Sequence, residues 1–212
     1  MLLKAIENKK HIIWDWNGTI LNDVDYVVEI MNTILHECEM NLITKEKYKQ
    51  IFEFPVRRYY DALGFDYKKW PFEKLCQDFV ARYMKNISNC LPFEHVLPVL
   101  AEVSKSNRTQ SVLSATDQVS LDIMIKHYKF EDMFNYTFGI KDKFAASKID
   151  RGIQLMKSVG VSKEETLMIG DTLHDQEVGE ELGIDVLLLD HGHQCGDKLR
   201  SHHDRVATIK IT

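Results

Sequence analysis

The chain has 212 residues, of which 27 are Lys or Arg and 32 are Asp or Glu, for a formal net charge of -5. At about 150 residues per domain, that length holds one full core and a small inserted module. Hydrophobic residues make up 44% and charged residues 28%, with 10 Gly and 4 Pro, which excludes collagen-like, linker-like and disordered chains. The acidic balance and the lack of a polybasic run argue against nucleic acid or an anionic membrane surface as a partner. Lys4, Glu7, Lys9 and Lys10 interrupt the start before a signal-peptide core could form, and no apolar stretch approaches the ~20 residues of a membrane span. A cytoplasmic protein is expected. Cys38, Cys76, Cys90 and Cys195 show no CxxC spacing, so reduced thiols are expected rather than a disulfide framework or a zinc ribbon.

Along the chain, HIIWDW (11–16) reads as a first buried strand. Residues 21–87 carry no convincing strand and several helical patterns. Val24, Val27, Val28, Met31, Ile34 and Leu35 form one stripe, PVRRYYDAL follows a Pro suited to a helix start, and Phe72, Leu75, Phe79, Val80 and Tyr83 form another stripe. QSVLSA (110–115) is the second strand, followed by a helix N-capped by Asp117 and running through Ile123, Ile125 and Tyr128. NYTFGI (135–140) is the third strand, and Ile149, Ile153, Met156 and Val159 line a helix closed by Gly160. TLMIG (166–170) and DVLLLD (185–190) complete the set. Strand and helix in repeated alternation predict an α/β fold, a doubly wound parallel sheet covered on both faces. The expected organisation is a core of residues 1–20 plus 88–212 and an all-helical cap of residues 21–87, inserted over the carboxyl edge of the sheet where ligands bind in such folds.

Polar residues at the ends of these elements are expected to meet in one crevice: Asp15, Ser114, Lys148 and Asp171, with Asp175 four residues after Asp171 in GDTLHD. Two carboxylates from separate strands suit a hard cation such as Mg²⁺, which takes oxygen ligands. A serine hydroxyl and a lysine beside them would hold phosphate oxygens. The set describes phosphoryl transfer to a carboxylate, with Asp15 as nucleophile and Lys148 and the metal stabilising developing charge.

With these residues in order, the chain resembles the haloacid dehalogenase superfamily, in particular its phosphoglycolate phosphatase-like branch with a small helical cap. The resemblance rests on DWNGTI (15–20), Ser114 in SVLSA, Lys148 in AASK and GDTLHD (170–175), and it covers nearly the whole chain. It implies a Rossmann-like core and a Mg²⁺-dependent phosphatase acting on a small phosphorylated metabolite through an aspartyl-phosphate on Asp15. It further implies that Asp171 ligates the metal with Asp15 and the backbone carbonyl of Asn17, and that Asp175 supports the metal's waters. Gly18 and Thr19 fall where the family turns out of its first strand. One position departs from the pattern: the family's phosphatases carry an Asp two residues after the nucleophile as general acid and base, and here that residue is Asn17. An amide does no acid-base work near neutral pH, and such catalysis is worth ~10²- to 10⁴-fold. The alternatives are a metal- and phosphate-binding protein with weak or lost turnover, and a hydrolase of C–P or C–halogen bonds.

Other residues have plainer readings. Asp171 and Asp175 can also cap a helix start. Arg57 and Arg58 could meet an anionic substrate, although a solvated helix face is the better reading. His191, His193, Cys195, His202 and His203 cluster without a zinc spacing, so no ligand role is expected of them. His174 is a candidate for a position beside the metal or, equally, at the surface. A monomer or homodimer is expected.

Overall fold

The computed structural model describes residues 2–141 and 148–208. After a short helix α1 (Leu2–Ala5), every residue of β1 (His11–Trp14) is buried, as expected of a central strand flanked on both faces. Its side chains alternate between two cores: Ile12 and Trp14 join one, Ile13 the other. β1 pairs in parallel with β4 (Thr109–Asp117) on one side and β6 (Thr166–Gly170) on the other, with Ile13 opposite Ser111 and Met168. Outside these lie β5 (Tyr136–Ile140), β7 (Asp185–Leu189) and β8 (Val206–Ala207), giving a six-stranded parallel sheet in the order β5-β4-β1-β6-β7-β8. The winding reverses at β1, so the carboxyl ends of β1, β4 and β6 open into one crevice.

Helices α6 (Leu97–Lys105) and α7 (Gln118–His127) cover the face that holds Trp14. Helices α8 (Ile149–Val159), α9 (Leu173–Leu182) and α10 (Gly196–Arg200) cover the face that holds Ile13. Asp117 caps α7 as expected, its carboxylate accepting from Ser120 N at 3.2 Å. Two apolar faces each depart from the periodicity reading at one isoleucine. Ile123 on α7 is 53% exposed, while Leu121, Met124 and Ile125 are buried. On α8 Ile149, Met156 and Val159 pack against the core as read, with Gly152 and Leu155 buried beside them, and only Ile153 turns out, 37% exposed. A Cβ at Gly152 would stand 3.0 Å from Leu182 Cδ1 and 3.2 Å from Leu113 Cδ2, so close approach at this glycine sets the helix rotation.

Between β1 and β4 the chain forms α2 (Val24–Glu37), α3 (Lys45–Ile51), α4 (Val56–Leu63) and α5 (Phe72–Lys85). The stripe read on α2 is buried throughout. Pro55 and Pro71 stand at the N-caps of α4 and α5. Two features escape the sequence reading. The pair β2 (Leu21–Asn22) and β3 (Leu91–Pro92) forms an antiparallel ribbon where the helices leave and return, too short to show a period. Helix α3 has Tyr48 as its one buried residue and rests on its Thr44 cap, which accepts from Lys47 N at 3.2 Å. These helices share one continuous hydrophobic core with the sheet face around Trp14. No helix among the described residues is long and apolar enough to cross a membrane.

Candidate active site

Asp15 leaves β1 still bonded to the sheet, its N–H donating to Ile169 O at 2.9 Å. Ser114 lies within β4 where the register slips between Leu113 and Asp117, an irregularity of the kind that re-aims side chains beside active sites. Asp171 follows β6, and Asp175 sits in the first turn of α9. Lys148 stands at the N-cap of α8; Ala145, Ala146 and Ser147 of the expected AASK motif lie outside the described residues. The fold gathers these groups. The Lys148 ammonium, 2% exposed, bonds Asp15 Oδ1, lies 2.7 Å from Asp175 Oδ1 and donates to Leu113 O at 3.0 Å. One carboxylate oxygen each of Asp15, Asp171 and Asp175 lie within 4.8 Å of one another. Among the described residues no other set of His, Cys, Asp and Glu stands close enough to share an ion.

Capping and charge coincide at Asp175. Its Oδ2 accepts from Asp171 N at 3.1 Å, Thr172 N at 2.9 Å and Thr172 Oγ1 at 2.8 Å, which fixes the strand-to-helix turn. Asp171 is held from two sides, by Thr19 Oγ1 at 2.8 Å and by His193 N at 2.6 Å. Glycines make that approach possible. A Cβ at Gly18, whose φ is +70°, would stand 2.4 Å from Asp171 Oδ2, and one at Gly192 would stand 2.1 Å from it.

The electrostatics leave an excess of negative charge. Burial drives the Asp15 carboxyl well above the usual carboxylate range; Lys148 opposes this, and the charges of Asp175 and Asp171 add to it. Burial likewise pushes Asp171 up to about 6, against the pull of His193. At Asp175 burial is outweighed by Lys148, and the carboxyl sits below its ordinary value. Burial disfavours the Lys148 ammonium, but Asp15 and Asp175 outweigh it and hold the group charged. Asp15 and Asp175 share the one ammonium while Asp171 is held by Thr19 and His193, and every donor of the three-carboxylate cluster is an oxygen. That donor set fits a hard divalent cation and suits soft metals poorly.

Asn17 is bonded as an amide should be. Its Nδ2 donates to Asp23 Oδ2 at 2.8 Å and to Tyr83 OH at 2.6 Å, and its Oδ1 accepts from Thr116 Oγ1 at 2.8 Å. Asp23, 1% exposed, also accepts from Gly18 N at 2.9 Å and Tyr83 OH at 2.6 Å, and lies 3.3 Å from His193 Nε2. His193 Nδ1 meets Tyr48 OH at 2.8 Å. Asp23, Tyr83, Thr116 and His193 are therefore site residues that the sequence reading did not assign. The signal for His193 was available: HGHQCG follows the carboxyl end of a parallel strand. Asp23 and Tyr83 had none, since both arrive through helices whose packing sequence does not specify.

Asp15, Asn17, Ser114 and Lys148 line one cavity of about 170 Å³ together with Asp23 and His193. His174 is not among its lining residues. Its Nε2 accepts from Lys148 N at 3.3 Å, its Nδ1 faces Glu177 at 3.0 Å, and its ring stacks on Phe54, so it positions Lys148. The two arginines point elsewhere: Arg57 lies 4.7 Å over the Tyr67 ring, and Arg58 pairs with Glu53 at 3.1 Å. His203 bonds Val186 O and His191 packs on Phe93, so the terminal histidines form no common centre.

The family model of haloacid dehalogenase-like hydrolases matches residues 12–189, a span that contains Asp15, Asn17, Ser114, Lys148, Asp171 and Asp175. The chain belongs to that family. A phosphoglycolate phosphatase of Synechococcus elongatus is 22% identical to this haloacid dehalogenase-like hydrolase over 177 residues, covering 82% of this chain and 80% of the relative. Among solved structures, a haloacid dehalogenase-like hydrolase from Bacteroides fragilis superposes with a TM-score of 0.81 at 16% identity, covering 96% of this chain and 98% of that one. A haloacid dehalogenase-like family protein from Streptococcus pneumoniae gives 0.76 at 19% identity, covering 96% and 95%. At these identities the structures share the fold of the haloacid dehalogenase-like hydrolases.

Proposed function

We propose that the chain is a Mg²⁺-dependent phosphatase, phosphoglycolate phosphatase-like in its chemistry, acting on a small phosphorylated metabolite in the cytoplasm. The observation that carries this reading is the buried Lys148 ammonium set between Asp15 and Asp175, with Asp171 completing an all-oxygen cluster. A carboxylate oxygen of Asp15 attacks phosphorus as the bond to the leaving oxygen breaks, and water then attacks the same phosphorus to release phosphate and restore Asp15. Ser114 and Lys148 hold the phosphoryl oxygens. Asp15, Asp171 and the Asn17 carbonyl would hold Mg²⁺, with Asp175 behind them, and the ion supplies charge neutralisation at the phosphoryl group. Asn17 has no proton to give, so the leaving oxygen departs as an anion and is protonated by solvent.

In this reading residues 1–20 and 88–212 form the catalytic core and residues 21–87 a helical cap that shields the phosphoenzyme from bulk water. C–P cleavage through a cap lysine is disfavoured, because no lysine of residues 21–87 lines the cavity. Lys45 instead pairs with Asp25, and Lys49 bonds backbone carbonyls. The test is a panel of p-nitrophenyl phosphate, acetyl phosphate, phosphoglycolate and a phosphonate, with and without Mg²⁺, run on wild type and Asp15→Asn. Metal-dependent release of phosphate that Asp15→Asn abolishes supports the reading. Failure of wild type on every ester leaves a metal- and phosphate-binding protein.

A further inference from the structure

Resting on the phosphatase reading above, we infer that the substrate is a phosphate monoester whose leaving group is a compact, uncharged aromatic alcohol. The cavity beside Asp15 is walled on its far side by the inserted helices, with Met31, Phe52, Phe54, Phe79 and Val80 among its lining residues. Lys148 is the one Lys or Arg among the described lining residues, and its ammonium is already committed to Asp15, Asp175 and Leu113 O. His193 is tied to Tyr48 and Asp23. A leaving group carrying a carboxylate, as glycolate does, would be desolvated beside Asp15 and Asp23 with no uncommitted Lys or Arg among the described lining residues to meet it, which is costly. Arg57 and Arg58, the residues best suited to that task, are engaged outside the cavity.

An aromatic ring suits the lining: beyond the polar end at Asp15, Ser114 and Lys148, the wall is formed by Met31, Phe52, Phe54, Phe79 and Val80. A second, chemical observation points the same way. With Asn17 bonded as an amide, no acid at that position protonates the leaving oxygen, and a phenolic oxygen, with a pKa of about 10 like that of Tyr, leaves as an anion far more readily than an alkoxide.

The experiment separates pocket fit from leaving-group reactivity. Benzyl phosphate and phosphoglycolate both release primary alcohols, so their kcat/KM ratio reads the pocket; a ratio above about tenfold in favour of benzyl phosphate is expected, the scale at which apolar pockets discriminate. Val80→Arg should lower that ratio by about tenfold or more. In parallel, calorimetry in Mg²⁺ compares benzylphosphonate with phosphonoacetate. Preference for phosphoglycolate, or tighter binding of phosphonoacetate, overturns the inference and leaves the phosphatase reading standing. If wild type hydrolyses no ester, the phosphatase reading fails, and calorimetry alone decides the pocket: tighter benzylphosphonate supports it, and equal or weaker binding overturns it.

Discussion

Asn17 donates to the buried Asp23 carboxylate at 2.8 Å, a bond that an ionised carboxylate at position 17 could not make. Asn17→Asp replaces the two amide donors to Asp23 and Tyr83 by at most one carboxyl proton and sets two carboxyls together. A loss of about 1–3 kcal/mol in stability is expected. The new carboxyl stays protonated in the fold beyond its ordinary range, so the deficit against wild type widens as pH rises from about 4 and levels off once the group ionises. Urea titrations at several pH values check this. The protonated carboxyl also restores a proton donor, and turnover of alkyl relative to aryl monoesters should rise more than about tenfold.

Asp15, Asp171 and Asp175 crowd negative charge that Lys148 only partly balances, so Mg²⁺ should stabilise the fold. Reaching about 100 times the dissociation constant adds about 2.7 kcal/mol, and at about 2–4 °C per kcal/mol for a chain of this size the melting temperature should rise by several degrees. Asp171→Asn should lose most of that rise while melting, without metal, no lower than wild type. A thermal scan with and without Mg²⁺ decides it, and an equal shift in both proteins would remove Asp171 from the metal site.

Lys148→Met leaves Asp15 and Asp175 facing each other without their cation. Breaking a buried pair by removing one partner costs on the order of 3–5 kcal/mol. Mg²⁺ should recover more of this loss than it adds to wild type, because it neutralises the same carboxylates, while turnover stays abolished. Denaturant midpoints with and without the metal measure both effects.

Burial holds the His11 imidazole down at about 4, from an ordinary value of 6.5. The unfolded chain therefore binds this proton more readily than the fold does. The stability linked to the neutral ring is complete above about pH 6.5 and is lost as pH falls toward about 4. His11→Phe removes this dependence, so between pH 7.5 and 5 wild type should lose on the order of 2 kcal/mol more than the variant. Equal losses would show that His11 does not titrate across folding.

The sequence by itself determined the sheet and the line of chemistry. The runs HIIW, SVL, TLMIG and DVLLL are short, apolar and β-rich, and a parallel sheet buried on both faces leaves such runs no alternative. Its topology then sends the residues after those runs to one edge, so Asp15, Ser114 and Asp171 converge however far apart they lie in the chain. Tertiary structure decided what surrounds them. Asp23 reaches the site from the N-cap of α2, and Tyr83 and Tyr48 from helices α5 and α3, whose rotation depends on packing against a shared core; the close approach at Gly152 left Ile153 outside the α8 face. His193 joined the site because Gly18 and Gly192 let its loop close over Asp171, and Arg57 left it because the Tyr67 and Phe72 rings offered a nearer partner. Periodicity fixes which elements form; which side chains then meet depends on distances between elements that no local pattern carries.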